Sequence, residues 1–498
     1  MASVVAVPAD RRRSFASLFL LDMWERFSFY GMLAILYLFA VAAPDGGGLG
    51  MGTATAGALV GAYIAGVFLC SMPGAWVGDR LLGTYRATLC GGVLIAAGHA
   101  TMALPGQAAF PFGLLLVASG TGLLKPNLTV LLGACYPRDA HATRESAFSL
   151  FYMSIQVSAI AAPLVTGFLG EYVNWHAGFG AAAVGMAAGV ACFRWGRRYL
   201  GEVGRSPVAP GDRAGSARVV RRGVLALSLL SLLLLADRLG GTLRAQHVVA
   251  AVGLIGLVAP VLAFRAIARD PRVRPAERVR VRAFVRVFLA SAWFWLLVSQ
   301  SLSLLSGFAK DGTDRWVLGF HAPAAWFQSL HPLFILLGAP VAAWLWPRLR
   351  DRAGVAVKLA GGLALAGLAF LVMAVAAHLA QHGPVSPLWL VATYALLSAG
   401  ELALAPVGLS VTVAVAPEAF ASQMMGLWWL SAALGAGAGS QLVRLTVVLP
   451  TDGYYLIFGL LSFIIAGALA ASRARLAGLL SVSPDPFRAA PLDAPVPG

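Results

Sequence analysis

The sequence LDMWERFSFYG, residues 21–31, lies inside an apolar run long enough to cross a membrane, yet it contains three ionisable residues. Asp22, Glu25 and Arg26 are spaced i, i+3 and i+4, which places them on one face of a helix, and Tyr30 continues that face. An ionisable side chain at the centre of a bilayer costs about 2.5–3.5 kcal/mol even on the mildest scale. This face therefore predicts an internal cavity or a buried contact with another helix. The alternative is a salt bridge between Glu25 and Arg26 that only holds helices together.

Composition identifies the broad class. The 498 residues are 59% hydrophobic and 12% charged, whereas soluble domains carry about 25% charged residues, and the mean hydropathy is +0.79. Apolar runs of the length that a spanning helix needs recur along the chain, without the alternation of barrel strands. We predict an all-α polytopic membrane protein with fourteen spans, at 15–41, 52–77, 87–104, 110–135, 147–169, 176–193, 223–237, 247–268, 284–308, 324–346, 355–379, 387–415, 421–448 and 454–472.

The net charge of +16 comes from arginines in short loops between the apolar runs, so it does not indicate nucleic acid. Nearly all of these loops fall on the side of the N-terminus, as the positive-inside rule requires of cytoplasmic loops. We therefore expect a multi-pass protein of the inner (cytoplasmic) cell membrane, with both termini in the cytoplasm and no cleavable signal peptide. The cysteines lie in or beside separate spans without metal-ligand spacing, so we expect neither a metal site nor a cofactor.

The spans divide the chain into parts. Residues 1–200 hold six spans, residues 201–282 hold a linker with two inserted spans, and residues 283–473 hold six more. The tail at 474–498 is rich in proline and polar residues, and we expect it to be a disordered cytoplasmic segment. Two six-helix bundles around a site at the membrane midplane form one standard transporter architecture.

Two further spans carry charges near their centres. Lys125 lies in GTGLLKPNLTVLLG, residues 120–133, in a chain that has only three lysines among 37 basic residues. Glu401 stands alone in TYALLSAGELALAPVGLS, residues 393–410, where a carboxylate can bind a proton or pair with a substrate cation. A lysine that extends to the membrane surface and a protonated glutamate between helices are the structural alternatives. Prolines beside these charges and on the span at 324–346 predict helix kinks at Pro126, Pro332 and Pro406.

Without the inserted pair, the charges fall on the first, fourth and tenth spans, every third helix in the chain. The span at 284–308, which completes this series, offers only polar side chains such as Trp295 and Ser299. A cavity that is acidic and basic on one side and acidic on the other suits a zwitterion, or an anion that moves with protons. The residues that we expect to line it are Tyr30, Lys125, Gln156, Trp295, Ser299, His331, Glu401 and Trp428.

Several segments resemble signatures of the proton-coupled oligopeptide transporter (POT) family of the major facilitator superfamily. They are ERFSFYG (25–31), VGDRLLGTYR (77–86), GTGLLKPN (120–127), FYMSIQVSAIAAPLVTGFL (151–169), PAAWFQSLHPLFILLGAPVAAWLW (323–346) and SAGELALAPVGLS (398–410). The resemblance implies two bundles that rock about a central site and carry di- and tripeptides inward with protons. It further implies proton coupling at Asp22, Glu25 and Arg26, contact of Lys125 with the peptide carboxylate or its acidic neighbours, and binding of the peptide amino group by Glu401.

Several positions depart from the usual family residues. Asp22 replaces a glutamate, Phe29 and Phe68 replace tyrosines, Leu33 replaces a basic residue, Ser299 replaces an acid, and Gln156 and His331 replace asparagines. The losses at 33 and 299 remove one charge of each sign together, which avoids stranding a buried charge at a cost of about 3–5 kcal/mol.

Because Ser299 cannot neutralise Lys125, we predict that the first-helix acids hold this lysine instead. Proton-coupled symport of small peptides or related zwitterionic or anionic solutes is the leading hypothesis. A transporter of the same fold for a non-peptide anion or a peptidomimetic with altered proton coupling is the alternative. A non-transporting membrane sensor is less favoured, because neither the linkers nor the tail offers a soluble module. We do not expect an enzyme, because no motif pairs a nucleophile with a base.

Overall fold

A computed structural model describes the chain at residues 8, 10–106, 109–136, 141–207, 217, 221, 225, 245–317, 319–348, 354–417 and 420–480. Within this part of the chain, 10 helical stretches are long and apolar enough to cross a membrane by length and composition. The predicted span at 223–237, apart from Leu225, lies outside the described residues.

The first bundle contains six helices, which are α1 Arg11–Val41, α2 Thr53–Val77, α3 Thr84–Met102, α4 Ala109–Ala134, α5 His141–Phe168 and α6 Trp175–Leu200. Helix α1 packs against α5 and α6, and hydroxyls of α5 fix its register. Ser158 Oγ donates to the carbonyl of Met23 at 2.7 Å, and Thr166 Oγ1 donates to that of Gly31 at 2.9 Å. Hydrogen bonds between helices replace the hydrophobic effect, which does not drive helix association within lipid.

One helix of the predicted inserted pair is described, α7 at Ala245–Arg269. It packs against α2 of the first bundle and against the helix at Ala421–Leu442, which belongs to the second bundle. Only 17% of its most apolar window is buried inside the protein, the smallest share among the stretches that could cross a membrane in the described residues. Most of its surface therefore faces lipid.

The second bundle begins with α8 Pro275–Ser299 and the short α9 Leu304–Asp311. A two-stranded hairpin follows, in which β1 Trp316–Val317 pairs antiparallel with β2 Phe320–His321. The remaining helices are α10 Leu330–Arg348, α11 Val355–Leu379, α12 Leu388–Val415, α13 Ala421–Leu442, α14 Thr451–Ala471 and α15 Arg473–Leu480.

Several boundaries differ from the sequence-based prediction, and three of these differences change the organisation of the chain. Helix α8 begins at Pro275 in the expected basic linker, because proline at the first helical position and Glu277, which accepts from the Arg274 amide at 2.8 Å, cap its start. The proposed domain boundary at 282/283 therefore falls inside a helix. The predicted span at 284–308 is broken after Ser299 by a 3₁₀ turn. The first residues of the predicted disordered tail are helical in α15, and residues 481–498 lie outside the described part.

The two bundles meet at the membrane face where α1 ends, which we call the opposite face, whereas α1 begins at the terminal face. Glu171, just after α5, accepts from Arg315 Nη1 at 3.0 Å and from the Ala325 amide at 3.0 Å. Trp326 Nε1 donates to the carbonyl of Leu164 at 3.0 Å. The ion pair is nearly buried, with side chains 13% and 15% exposed. These contacts close the gap between the two bundles at the opposite face.

We predict that Arg315→Gln loosens this closure, because removing one partner of a buried ion pair costs about 3–5 kcal/mol. Spin labels at Asp45→Cys and His382→Cys, on the opposite face of the two bundles, would report the separation after the native cysteines are replaced by alanine. We expect the variant to add a population with a longer distance. Arg205→Gln, which breaks the exposed Arg205–Glu202 pair, is the control and should leave the distribution unchanged. An identical distribution for Arg315→Gln would refute the gating role of the pair.

Candidate functional site

The first-helix charges form one buried cluster. The side chains of Asp22 and Glu25 are fully buried, and Arg26 is 10% exposed. Arg26 donates through Nε and Nη2 to both carboxylate oxygens of Glu25, a bidentate pair. The Arg26 guanidinium also lies over the Phe29 ring, 4.6 Å from its centroid. Phe29 therefore covers the pair with an aromatic face and no hydroxyl.

Lys125 completes this cluster from α4. Its Nζ lies 2.9 Å from Asp22 Oδ1 and 3.7 Å from Glu25 Oε2. The predicted contact of the lysine with the first-helix acids is confirmed, and both charges belong to the same bundle. The Lys125 side chain is 29% exposed, whereas its partners are fully buried, so the lysine is the part of the cluster that a solute can reach.

Ser154 of α5 is a residue of this cluster that the sequence analysis missed. Its hydroxyl donates to Asp22 Oδ2 at 2.7 Å, so each oxygen of the Asp22 carboxylate has one donor. Ser154 shares a helical face with Ser158, four residues further on, which bonds α1 as described above. A serine spacing of four on an otherwise apolar span was the available sequence signal.

The position of Lys125 depends on a close approach of α4 and α2. Pro126 lacks the amide that would bond the Gly122 carbonyl, and that carbonyl lies against Gly74 of α2, where an added Cβ would be 2.1 Å from the oxygen. Asn127 Nδ2 bridges the two helices by donating to the carbonyls of Gly74 at 2.9 Å and Leu123 at 2.7 Å. The segment GTGLLKPN thus locks α4 against α2 and presents Lys125 to α1.

The second bundle contains its own polar group, and Glu401 is not alone. His331 Nε2 on α10 lies 2.9 Å from Glu401 Oε2 on α12, with side chains 19% and 21% exposed. Ser398, one turn before Glu401, lies with its hydroxyl 3.1 Å from His331 Nδ1 and 3.0 Å from the His331 carbonyl oxygen. The sequence analysis chose both Glu401 and His331 but did not pair them, and it missed Ser398.

The other predicted cavity residues have different environments. Tyr30 is half-buried beside Arg26, whose guanidinium lies 5.8 Å from its ring centroid, and Gln156 is 8% exposed on α5. Trp295 and Ser299 of α8 pack against glycines of α13, and Ser299 Oγ donates to its own helix at the Leu296 carbonyl. Trp428 is 2% exposed and covers Gly408 between α12 and α13. In this conformation Trp428 is a packing residue, because its indole fills the space that a side chain at position 408 would need.

The predicted kinks fall in two kinds of position. Pro126 and Pro406 lie inside α4 and α12, where each removes a backbone hydrogen bond. Pro332 is in the first turn of α10, directly after the 3₁₀ turns at Ala324–Ser329, so it lies at the junction of two helical segments rather than inside a helix. A proline is well tolerated in a first turn, because the amides there have no partner within the helix.

The protein has two helical bundles, with opposite charges at the centre of one and a carboxylate in the other. This is the architecture of a secondary transporter. The sequence model that defines the POT family matches residues 85–459 of this chain. The chain belongs to this family of transporters, and the predicted all-α major facilitator fold is confirmed. Of the predicted inserted pair, the structure describes one helix, α7.

Three similar proteins illustrate the likeness. A di-/tripeptide transporter of Lactococcus lactis subsp. cremoris is 35% identical over 471 residues, which cover 91% of this chain and 93% of the relative. A crystal structure of a peptide transporter POT in complex with sulfate is 38% identical, with a TM-score of 0.91 over 95% of this chain and 98% of that one. A POT family transporter in complex with 5-aminolevulinic acid is 31% identical, with a TM-score of 0.90 over 95% and 99% of the chains.

We predict that Gly74→Ala destabilises the first bundle by about 1–3 kcal/mol, because the added methyl group collides with the Gly122 backbone, which has no freedom to move away. Thermal unfolding of the purified protein in detergent would measure the loss. Gly66→Ala on the same helix is the matched control, since the nearest atom to its added Cβ is Val252 Cγ1 at 4.0 Å. Equal unfolding temperatures for the two variants would show that the α2–α4 contact is not tight.

Proposed function

We propose that this protein carries di- and tripeptides, or closely related zwitterions, into the cell together with protons. The observation that carries the proposal is the Lys125 side chain, which is held by Asp22 and Glu25 and is still 29% exposed. A cation in this position can exchange an internal carboxylate partner for the carboxylate of a substrate. The family relatives that are di-/tripeptide transporters support the same substrate class.

The coupling mechanism follows from the charges of the cluster. While Asp22 is ionised, its carboxylate pairs with Lys125, with Oδ1 2.9 Å from Nζ. A proton on Asp22 removes that charge, so the lysine becomes available to a substrate carboxylate. Glu25 is less able to accept the proton than Asp22, because Arg26 binds both of its oxygens. Proton binding and substrate binding are thereby linked within the first bundle.

The second bundle offers the complementary charge. The Glu401 carboxylate faces His331 and can attract the amino group of a peptide, while Lys125 takes its carboxylate. A solute that bridges Lys125 and Glu401 connects the two bundles, so its binding can draw the bundles together and open the closed face. Alternating access by rocking of the bundles is the transport mode that this arrangement favours.

The orientation in the membrane follows from the loop charges. The arginine-rich loops lie on the terminal face, so we infer that this face is cytoplasmic and that both termini are too. The opposite face, closed by the Glu171–Arg315 pair, is then the outer one. Lys125 stays partly exposed although that face is closed, so the cavity of this conformation opens toward the cytoplasm. The membrane is the inner membrane of a bacterium.

A non-peptide zwitterion or peptidomimetic is the second candidate substrate. Two observations favour it. The Ser299 hydroxyl donates to its own helix, and His331 Nε2 already contacts the Glu401 carboxylate. Both differ from the usual family residues, an acid and an asparagine. One relative is known in complex with 5-aminolevulinic acid. This ligand has an amine and a carboxyl group, as a peptide does, but it has no peptide bond.

Uptake of labelled dialanine into proteoliposomes tests the function directly. We expect accumulation when the lumen is more alkaline than the medium and none when the gradient is collapsed by an ionophore. Competition by 5-aminolevulinic acid separates the two candidate substrates. A protein that takes up neither solute under a gradient would contradict the proposal and return the sensor hypothesis.

We predict that Lys125→Ala lowers gradient-driven uptake by more than about tenfold, the effect of about 1.4 kcal/mol, because the cluster loses the cation that responds to Asp22. Lys358→Ala, at the start of α11, is the matched control and should keep the wild-type rate. Wild-type uptake by Lys125→Ala would show that the lysine has no part in coupling.

We predict that Glu401→Gln weakens the binding of dialanine by at least about tenfold, since the amide keeps the shape of the side chain and removes its charge. Equilibrium binding to the purified protein is the measurement, with Glu202→Gln, in an exposed pair near the terminal face, as the control. A variant that binds and transports dialanine like the wild type would exclude Glu401 from amine recognition.

A further inference from the structure

We propose that Glu401, His331 and Ser398 form a second proton-binding site, which takes up one proton in competition with the amino group of the substrate. The site is in the second bundle, on α10 and α12, whereas the first-helix cluster is in the first bundle. The competition rests on the proposed function, but the binding of the proton does not.

The argument starts from the single proton of the Ser398 hydroxyl. The Ser398 oxygen lies 3.0 Å from the His331 carbonyl oxygen and 3.1 Å from His331 Nδ1. If the hydroxyl donates to the carbonyl, it can only accept from Nδ1, so Nδ1 carries a proton. If the hydroxyl donates to Nδ1, that nitrogen carries none. Rotation of one hydroxyl thus satisfies either form of the ring.

The other ring nitrogen then sets the charge of the group. His331 Nε2 is 2.9 Å from Glu401 Oε2, so one proton lies between them in both arrangements. With Nδ1 protonated, the ring and the carboxyl group hold two protons and are neutral together. With Nδ1 unprotonated, they hold one proton and carry a charge of −1. The two hydrogen-bonded states differ by one proton, and in both of them each ring nitrogen of His331 keeps its partner.

Few other groups can impose a charge on His331. Tyr394 of α12 is the other titratable side chain beside it, with ring centroids 6.5 Å apart, and its hydroxyl donates toward the Ser301 carbonyl at 3.4 Å. Helix α5 and the turns at 324–329 also pack against α10, and none of their described side chains is charged. Among the described residues, Glu401 is therefore the one charged partner of His331.

The two protonation states have opposite effects on a substrate. The state with a charge of −1 attracts an amino group to Glu401, while the neutral state does not. Histidine is the side chain whose unperturbed charge change lies between about pH 5 and pH 8, the range in which a proton gradient acts. An asparagine at position 331, the usual residue of the family, could satisfy Glu401 but could not bind this proton. The second proton site is therefore a property of this chain.

The test compares two ligands that differ only in the amino group, dialanine and N-acetyl-dialanine. Their affinities for the purified protein in detergent, without a gradient, are measured at about pH 8 and about pH 5.5. The ratio of the two affinities cancels effects of the first-helix cluster, because both ligands carry the same carboxylate. We expect the preference for dialanine to fall by about tenfold on acidification in the wild type, and by less than about twofold in His331→Asn. His378→Asn, which removes a histidine 3.1 Å from Asp452 at the opposite face, is the control and should behave as the wild type.

A second measurement needs no substrate. In protein labelled with ¹⁵N-histidine, the His331 signal is assigned by its loss in His331→Asn. We expect this signal to report one protonation step in the wild type and to respond differently to pH in Glu401→Gln, where the charge that holds the proton is gone. A His331 signal that does not titrate overturns the proton site. A signal that titrates while the ligand ratio stays constant overturns the competition, and a wild type that binds neither ligand overturns the proposed function instead.

Discussion

A charge inside a membrane must have a partner, and in the first bundle this constraint is met by the contact between Lys125 and Asp22. The contact fixes α4 against α1, and Ser154 adds α5 to the same carboxylate. Three helices are therefore oriented by one acid. Removing the lysine leaves the fully buried Asp22 carboxylate without its cation, at a cost of about 3–5 kcal/mol. The cluster can therefore rearrange at low cost only when a proton or a ligand compensates that charge. The same requirement that holds the bundle together makes it responsive.

The two bundles meet this constraint with different chemistry. The first uses arginine and lysine, whose charges are constant over physiological pH, against two acids. The second uses a histidine, which can be neutral or charged, against Glu401. In the proposed mechanism, the first bundle needs a proton on a carboxyl group before it releases its cation, whereas the second can change its charge through the histidine ring. A solute held between them experiences two sites that respond differently to the same gradient.

The sequence predicted the helical architecture and the Lys125 contact, because a charge in an apolar span restricts where that face can point, and few opposite charges were available. It did not predict the His331–Glu401 pair. That contact depends on how α10 and α12 are rotated about their axes. The sequence of a largely apolar span with few polar residues does not determine this rotation. Trp428 was expected to line the cavity, but its indole fills the space that the absent side chain of Gly408 leaves between the helices. The break after Ser299 was missed because the span was defined by its overall hydropathy, which the polar residues Ser299, Gln300 and Ser301 interrupt only briefly.

Helix α7 has a consequence for the dynamics of the protein. It contacts α2 and α13, one helix from each bundle, and most of its surface lies in lipid. When the bundles rock, α7 cannot keep both sets of contacts unchanged. Glycines lie on both sides of these contacts, with Gly253 of α7 near Gln441 and Gly66 of α2 near Val252, so few side chains interlock there. Such a helix limits how far the two bundles separate without fixing the angle between them. The surrounding lipid, including the thickness of the bilayer, then influences the turnover rate.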